Sequence, residues 1–89
     1  MSHMYLPEIL ETASAPDLLE QLKTHPGDIF LDGSQVKRLG GRCFEILLSA
    51  RKTVVLRNKR FAIRNPSPEL KNALTLMGGE SLLTEGNVQ

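Results

Sequence analysis

Aromatic side chains are scarce in this chain: Tyr5, Phe30, Phe44 and Phe61 are the complete set in 89 residues. Proteins that grip single-stranded nucleic acid stack bases on aromatic rings, so a nucleic-acid partner is not expected. Cysteine is scarcer still. Cys43 stands alone, which excludes an internal disulfide and suits a reducing cytoplasm. Apart from His3 near the N-terminus, the chain has only His25. One cysteine and one histidine do not make a ligand set, so no metal is expected, and no cofactor either. No run approaches the roughly 18 apolar residues that cross a bilayer, and the N-terminus lacks the basic-then-apolar order of a signal peptide. The sequence therefore predicts a cytoplasmic protein without membrane insertion.

Catalytic chemistry finds equally little material. A nucleophile needs a base within hydrogen-bond reach, and His25 lies beside Pro26, away from any such group in sequence. There is no phosphate-cradling Walker loop, and Gly40–Gly41 and Gly78–Gly79 read as helix boundaries. No catalytic residue is expected. Cys43, next to Arg42 at a helix start, carries one redox idea, a lowered thiol pKa. Against it stands the plainer role of a small buried apolar side chain.

What the chain does contain is one small domain's worth of alternating elements. Hydrophobic residues make up 40% of it, interspersed with charge, as in a globular protein. Met1 to Met4 reads MSHM, an expression remnant in appearance, and is left outside a domain expected to span residues 5–83, with a flexible tail over 84–89. Tyr5 to Leu10 reads as an edge strand, where Pro7 is tolerated. Ser14 is placed as an N-cap, with Pro16 and Asp17 in the first turn and Leu18, Leu19 and Leu22 as the apolar stripe of a short helix. Ile29, Phe30 and Leu31 form a continuous apolar run typical of a strand covered on both faces.

A second helix is predicted over about Gly41 to Lys52. Phe44, Leu47, Leu48 and Arg51 share its core side, Arg42, Glu45, Ser49 and Lys52 its solvent side, and Cys43, Ile46 and Ala50 fall between. That is more apolar area than one packing face needs, which fits either extra core burial or a partner-binding seam. Val54–Leu56 and Phe61–Ile63 bracket a basic turn, as a hairpin or as a loop leading into one strand. Asn65 to Glu69 supply a turn, an N-cap and a first-turn proline for a third helix faced by Leu70, Ala73, Leu74 and Met77 and stopped by Gly78 and Gly79. Leu82 and Leu83 are placed in a short final strand. The alternation predicts an α/β fold, a mainly parallel sheet, mixed at the edge, flanked by about three helices.

Charge is uneven despite a net value of +1. Glu8, Glu11, Asp17, Glu20, Asp28 and Asp32 precede nearly all the basic residues, whereas Arg51, Lys52, Arg57, Lys59, Arg60 and Arg64 follow one another without an acid between them. Such a stretch attracts an acidic surface over a Debye length of about 8 Å, or simply keeps a loop and a strand edge soluble.

The run LDGSQVKRLGGRCFEILLSARK followed by FAIRNPSPELKNALTLMGGESLL resembles a STAS domain, the module named after sulphate transporters and anti-sigma-factor antagonists. The similarity spans Leu6 to Leu83. It rests on the Asp-x-Ser-x-Val turn (Asp32, Ser34, Val36), the helix after it, and the Asn-Pro-Ser-Pro start of the third helix. The resemblance implies a small cytoplasmic protein that regulates by binding other proteins rather than by turnover. Phosphorylation switches of that family carry Asp-Ser-Ser-Gly or Asp-Thr-Ala-Gly where the second helix begins. Gly40, Gly41, Arg42 and Cys43 stand there instead, so no phosphorylation is expected in that window, and Ser34 reads as a turn former or a displaced phosphosite.

The Gly-Gly-x-Cys variant is more similar to short stand-alone STAS proteins encoded beside bacterial chemotaxis genes. It implies a non-catalytic regulator that docks on a histidine kinase, response regulator or anti-sigma-type partner. Gly40, Gly41, Arg42, Glu45, Ile46 and Ser49 are the predicted contact residues, with Arg57, Lys59 and Arg60 as a secondary electrostatic rim. The alternative within the family is a small subunit that stabilises the ATPase of a membrane-lipid ABC transporter.

Overall fold

The structure, a computed structural model, describes residues 3–25 and 27–83. Its elements in chain order are β1 (His3–Tyr5), β2 (Ile9–Leu10), α1 (Ala15–Thr24), β3 (Ile29–Asp32), β4 (Arg38–Leu39), α2 (Gly41–Leu56), β5 (Phe61–Arg64) and α3 (Pro68–Leu76), with 3-10 turns at Thr12–Ser14 and Glu80–Leu83. The fold is mixed α/β. β3 lies between β1 and β5, parallel to both, with Met4 opposite Leu31 and Leu31 opposite Ile63. A second parallel ladder joins β2 to β4. Every described pairing is parallel, so the mixed edge expected from the sequence is absent among the described residues. The apolar run forms the strand as expected, but Ile29 and Leu31, which share one face, are fully buried whereas Phe30 on the other face is only half-buried, so the expected cover on both faces is incomplete. Phe30 lies beneath the Arg64 guanidinium, 4.7 Å from ring centroid to Cζ.

Several local expectations are corrected, each for an identifiable reason. The edge strand over Tyr5 to Leu10 is two strands. The Leu6 N–H still donates to the Asp32 carbonyl (2.9 Å), but Pro7 has no donor to continue the ladder. The chain turns there, and the Glu8 carbonyl accepts instead from the N–H groups of Lys37 and Arg38. At the other end, His3 and Met4 belong to β1 and Met4 packs against the core, so the domain begins before Tyr5. Met1, Ser2 and the tail expected over 84–89 lie outside the described residues. Ser14 does not cap α1, because its hydroxyl donates to the Ile9 carbonyl (2.9 Å). Leu18 and Leu22 are buried, whereas Leu19 is 39% exposed.

The largest correction concerns the end of α2, expected near Lys52: Val54–Leu56 continue the helix, so no hairpin forms there, and the basic turn leads into the single strand β5. Val54 extends a buried stripe of Cys43, Leu47 and Ala50 by another helical turn. A valine costs only about 0.5 kcal/mol in helix propensity, whereas burying it returns about 1.5–3 kcal/mol, so tertiary burial prevails. The helix stops at Asn58, whose φ of 63° places it in the left-handed region that asparagine tolerates. The Lys59 N–H closes the end on the Val54 carbonyl (3.0 Å). The final strand is also replaced, since Leu82 is buried from a 3-10 turn.

The third helix forms as its sequence signals. Ser67 Oγ accepts from the Leu70 N–H (3.0 Å) and donates to the Val36 carbonyl, Pro68 follows in the first turn, and Gly78 at φ 74° ends the helix. Leu70 and Leu74 are fully buried, while Met77 is exposed. Because Ser67 is itself buried, Ser67→Ala removes an N-cap and orphans a buried carbonyl. It should lower stability by about 1–2 kcal/mol in urea denaturation.

Candidate functional site

The segment between β3 and α2 is built on one carboxylate. Asp32, 7% exposed at the end of β3, accepts from the Ser34 N–H (2.8 Å) and the Ser34 hydroxyl (2.5 Å) through Oδ1, and from Asn65 Nδ2 (3.3 Å) through Oδ2. This closes the turn in the manner typical of aspartate. Gly33 is required inside it: a Cβ would come to 2.5 Å of Leu70 Cδ2 and 3.3 Å of Ile63 Cγ2. The Ser67 N–H donates to the Gly33 carbonyl (3.0 Å), so the turn is fastened to the start of α3 as well. Ser34 thus sits in the turn-forming geometry.

The glycines at the start of α2 are of a different kind. Gly40 is extended (φ −91°, ψ 166°) and no side chain caps the helix. A Cβ on Gly40 would meet the Leu10 carbonyl at an ordinary 3.5 Å, and one on Gly41 would meet nothing within 4 Å. Neither position is glycine for reasons of space or strain. The missing side chains leave the first turn of α2 low and uncovered beside Arg42, which is exposed.

Of the predicted contact residues, Gly41, Arg42, Glu45 and Ser49 are exposed and Gly40 is half-buried. Ile46 is a correction: at 8% exposure it is a core residue and not part of the free surface. It forms the floor of a seam between α1 and α2. At the helix starts, Arg42 and Ile46 line a groove of about 320 Å³ with Thr12, Ala15, Pro16 and Leu19. Towards the helix ends, Leu19 and Ile46 line a second hollow of about 150 Å³ that reaches Lys23, His25, Ser49, Val54 and Arg57. The shared pair makes the two hollows one seam. Lys59 and Arg60 are exposed beyond it, and the Arg60 N–H donates to Asp28 Oδ1 (2.8 Å). Arg57 is therefore the member of the secondary rim that the structure brings to the site.

Leu19 and Lys23 escaped the sequence reading, which placed Leu19 in the core stripe. Adjacent residues lie about 100° apart around a helix, so Leu18 and Leu19 cannot both sit at the centre of one stripe, and that offset was the available signal.

Cys43 does not have the environment of a reactive thiol. It is fully buried, and its Sγ donates to the Glu11 carbonyl (3.4 Å). Burial raises its pKa above the ordinary 9.0, and the Glu11 carboxylate adds to the rise. Both effects disfavour the thiolate. Among the described residues, no group of three or more His, Cys, Asp or Glu side chains is placed to hold a metal ion, and no helix is long and apolar enough to cross a membrane.

No protein-family model matches this chain, and a comparison with curated proteins finds no match either.

Iodoacetamide at pH 7.5 should alkylate Cys43 in the folded protein more slowly, by roughly tenfold or more, than in urea. The raised pKa also fixes a sign. The neutral thiol favours the folded state below pH 9.0, and that contribution is lost as pH climbs from there towards the folded value. The wild type should therefore lose stability between pH 8.5 and 10 relative to Cys43→Ala in paired urea melts.

Proposed function

We propose that this protein is a non-catalytic, STAS-type binding regulator in bacterial signal transduction. It docks through the start of α2 on a histidine kinase, response regulator or anti-sigma-type partner, and it is not phosphorylated itself. The observation that carries this reading is the bare first turn of α2, where two glycines that packing does not require stand beside the exposed Arg42. The turn lacks an acceptor hydroxyl, and a guanidinium there serves recognition of a partner's carboxylates better than it serves the helix, whose dipole it opposes.

Support also comes from the order of the elements. The Asp32–Ser34 turn, the helix after it and the Ser67-capped third helix stand in the sequence positions on which the resemblance rests. The regulatory effect then follows from occupancy alone: a rigid surface covers part of a kinase or regulator and changes phosphate flow without accepting phosphate.

A pull-down against a panel of purified bacterial histidine kinases and response regulators tests the reading. The wild type should retain one of them, Arg42→Glu should weaken retention about tenfold, and incubation with kinase and labelled ATP should leave the protein unlabelled. Stoichiometric label on this chain would overturn the reading.

A further inference from the structure

We infer that the seam between α1 and α2 seats an acidic amphipathic helix of a partner protein, with the partner's apolar side chains against Leu19 and its carboxylates facing Arg42 at one end and Lys23 and Arg57 at the other. The inference rests on the docking reading above and gives the partner its chemistry.

The first support is charge. The residues lining the two hollows include Arg42, Lys23 and Arg57 and no aspartate or glutamate. None of these three cations forms an ion pair among the described residues, whereas Lys37 and Arg38, on the far side of the turn before α2, are paired with Glu8 and Glu11 at 3.7 and 3.3 Å. What sets the seam apart is a lining with three cations and no carboxylate, for other basic side chains, Lys52, Lys59 and Lys71 among them, also form no ion pair among the described residues. His25 closes the same end, with an Nδ1 that is buried and has no hydrogen-bond partner among the described residues. A partner bearing carboxylates supplies what this surface lacks.

The second support is the floor. Leu19 stands 39% exposed at the waist of the seam, above Leu22, Ile46 and Val54, which are buried. A polyanion uses the cations and ignores that leucine. An amphipathic helix uses both, because its i, i+3, i+4 and i+7 residues fill a groove between two helices while the flanking positions face the walls.

The third support is length. The linings match helix starts with helix starts and helix ends with helix ends, so α1 and α2 run side by side in the same direction. Arg42 and Arg57 are fifteen residues apart along α2, about 22 Å at 1.5 Å per residue. A partner segment of about four turns spans the seam and meets cations at both ends.

The test is an NMR titration of the full chain with a synthetic helix of about 16 residues, carrying leucines at i, i+3, i+4 and i+7 and glutamates on both flanks. Backbone shifts should be confined to residues 12–25 and 42–57. Leu19→Glu should weaken binding at least tenfold, and so should the double variant Lys23→Glu with Arg57→Glu. Circular dichroism would show that both variants keep the wild-type fold, and their exposed sites make this the expected result. The same peptide with lysine flanks should not bind. Equal binding of a leucine-free polyglutamate would overturn the inference in favour of a plain polyanion site. So would shifts outside the seam, no measurable binding, or self-association by sedimentation that Leu19→Glu abolishes, which would make a second copy the occupant. Kinase or regulator capture that is lost in Arg42→Glu and unchanged in Leu19→Glu would overturn the seam and leave the docking reading standing. Peptide binding in the seam by a protein that captures neither would do the reverse.

Discussion

The parallel pairing of β3 with a neighbour on each side is the constraint from which the rest of the architecture follows. Parallel strands cannot be joined by tight turns, so the chain must cross over between β1 and β3 and again between β3 and β5. Right-handed crossovers on successive strands of one sheet put both connecting helices on the same face. α1 and α2 are therefore neighbours by topology. A seam between them exists whatever their outward-facing residues are, and those residues decide whether it is filled, charged or bare. In this chain it is floored by leucine and isoleucine and edged by arginine and lysine.

Positioning falls to a small set of polar groups around the end of β3. Asp32 shapes the turn, Asn65 and the Ser67 N–H tie it to the beginning of α3, and the Ser67 hydroxyl reaches back to Val36. Buried polar groups of this kind add modest stability when satisfied and cost much when broken, so their main effect is to specify one conformation. The segment leading into α2 is fixed from two directions, which makes the start of that helix a rigid feature.

Much of this was legible in the sequence where the signal was local. Ser67 with Pro68, and Gly78 after Leu76, mark the third helix because capping and termination are chemistry between near neighbours. The uninterrupted apolar run Ile29–Leu31 signalled the strand β3, although only the face of Ile29 and Leu31 is fully buried and Phe30 on the other is half-buried. Where the deciding energy was tertiary, the signal misled. Val54 and Val55 favour a strand by propensity and yet complete the buried stripe of α2. Ser14 has the makings of a cap but is captured by the Ile9 carbonyl, which only the turn at Pro7 brings near. The candidate site divides in the same way. Arg42, Glu45 and Ser49 were found on one helix by periodicity, whereas the opposing wall, Leu19 and Lys23, comes from a helix that sequence distance hides.

The short ladder between β2 and β4 has a mechanical consequence. The carbonyls of Glu8, Leu10 and Glu11 accept, in turn, from the N–H groups of Lys37 and Arg38, from the Gly40 N–H and from the Cys43 thiol. The opening turn of α2 is in effect suspended from a four-residue hanger that lies some thirty residues upstream. Because that hanger holds Gly40 and Cys43, on either side of Arg42, the place from which the guanidinium is presented depends on a segment distant in sequence.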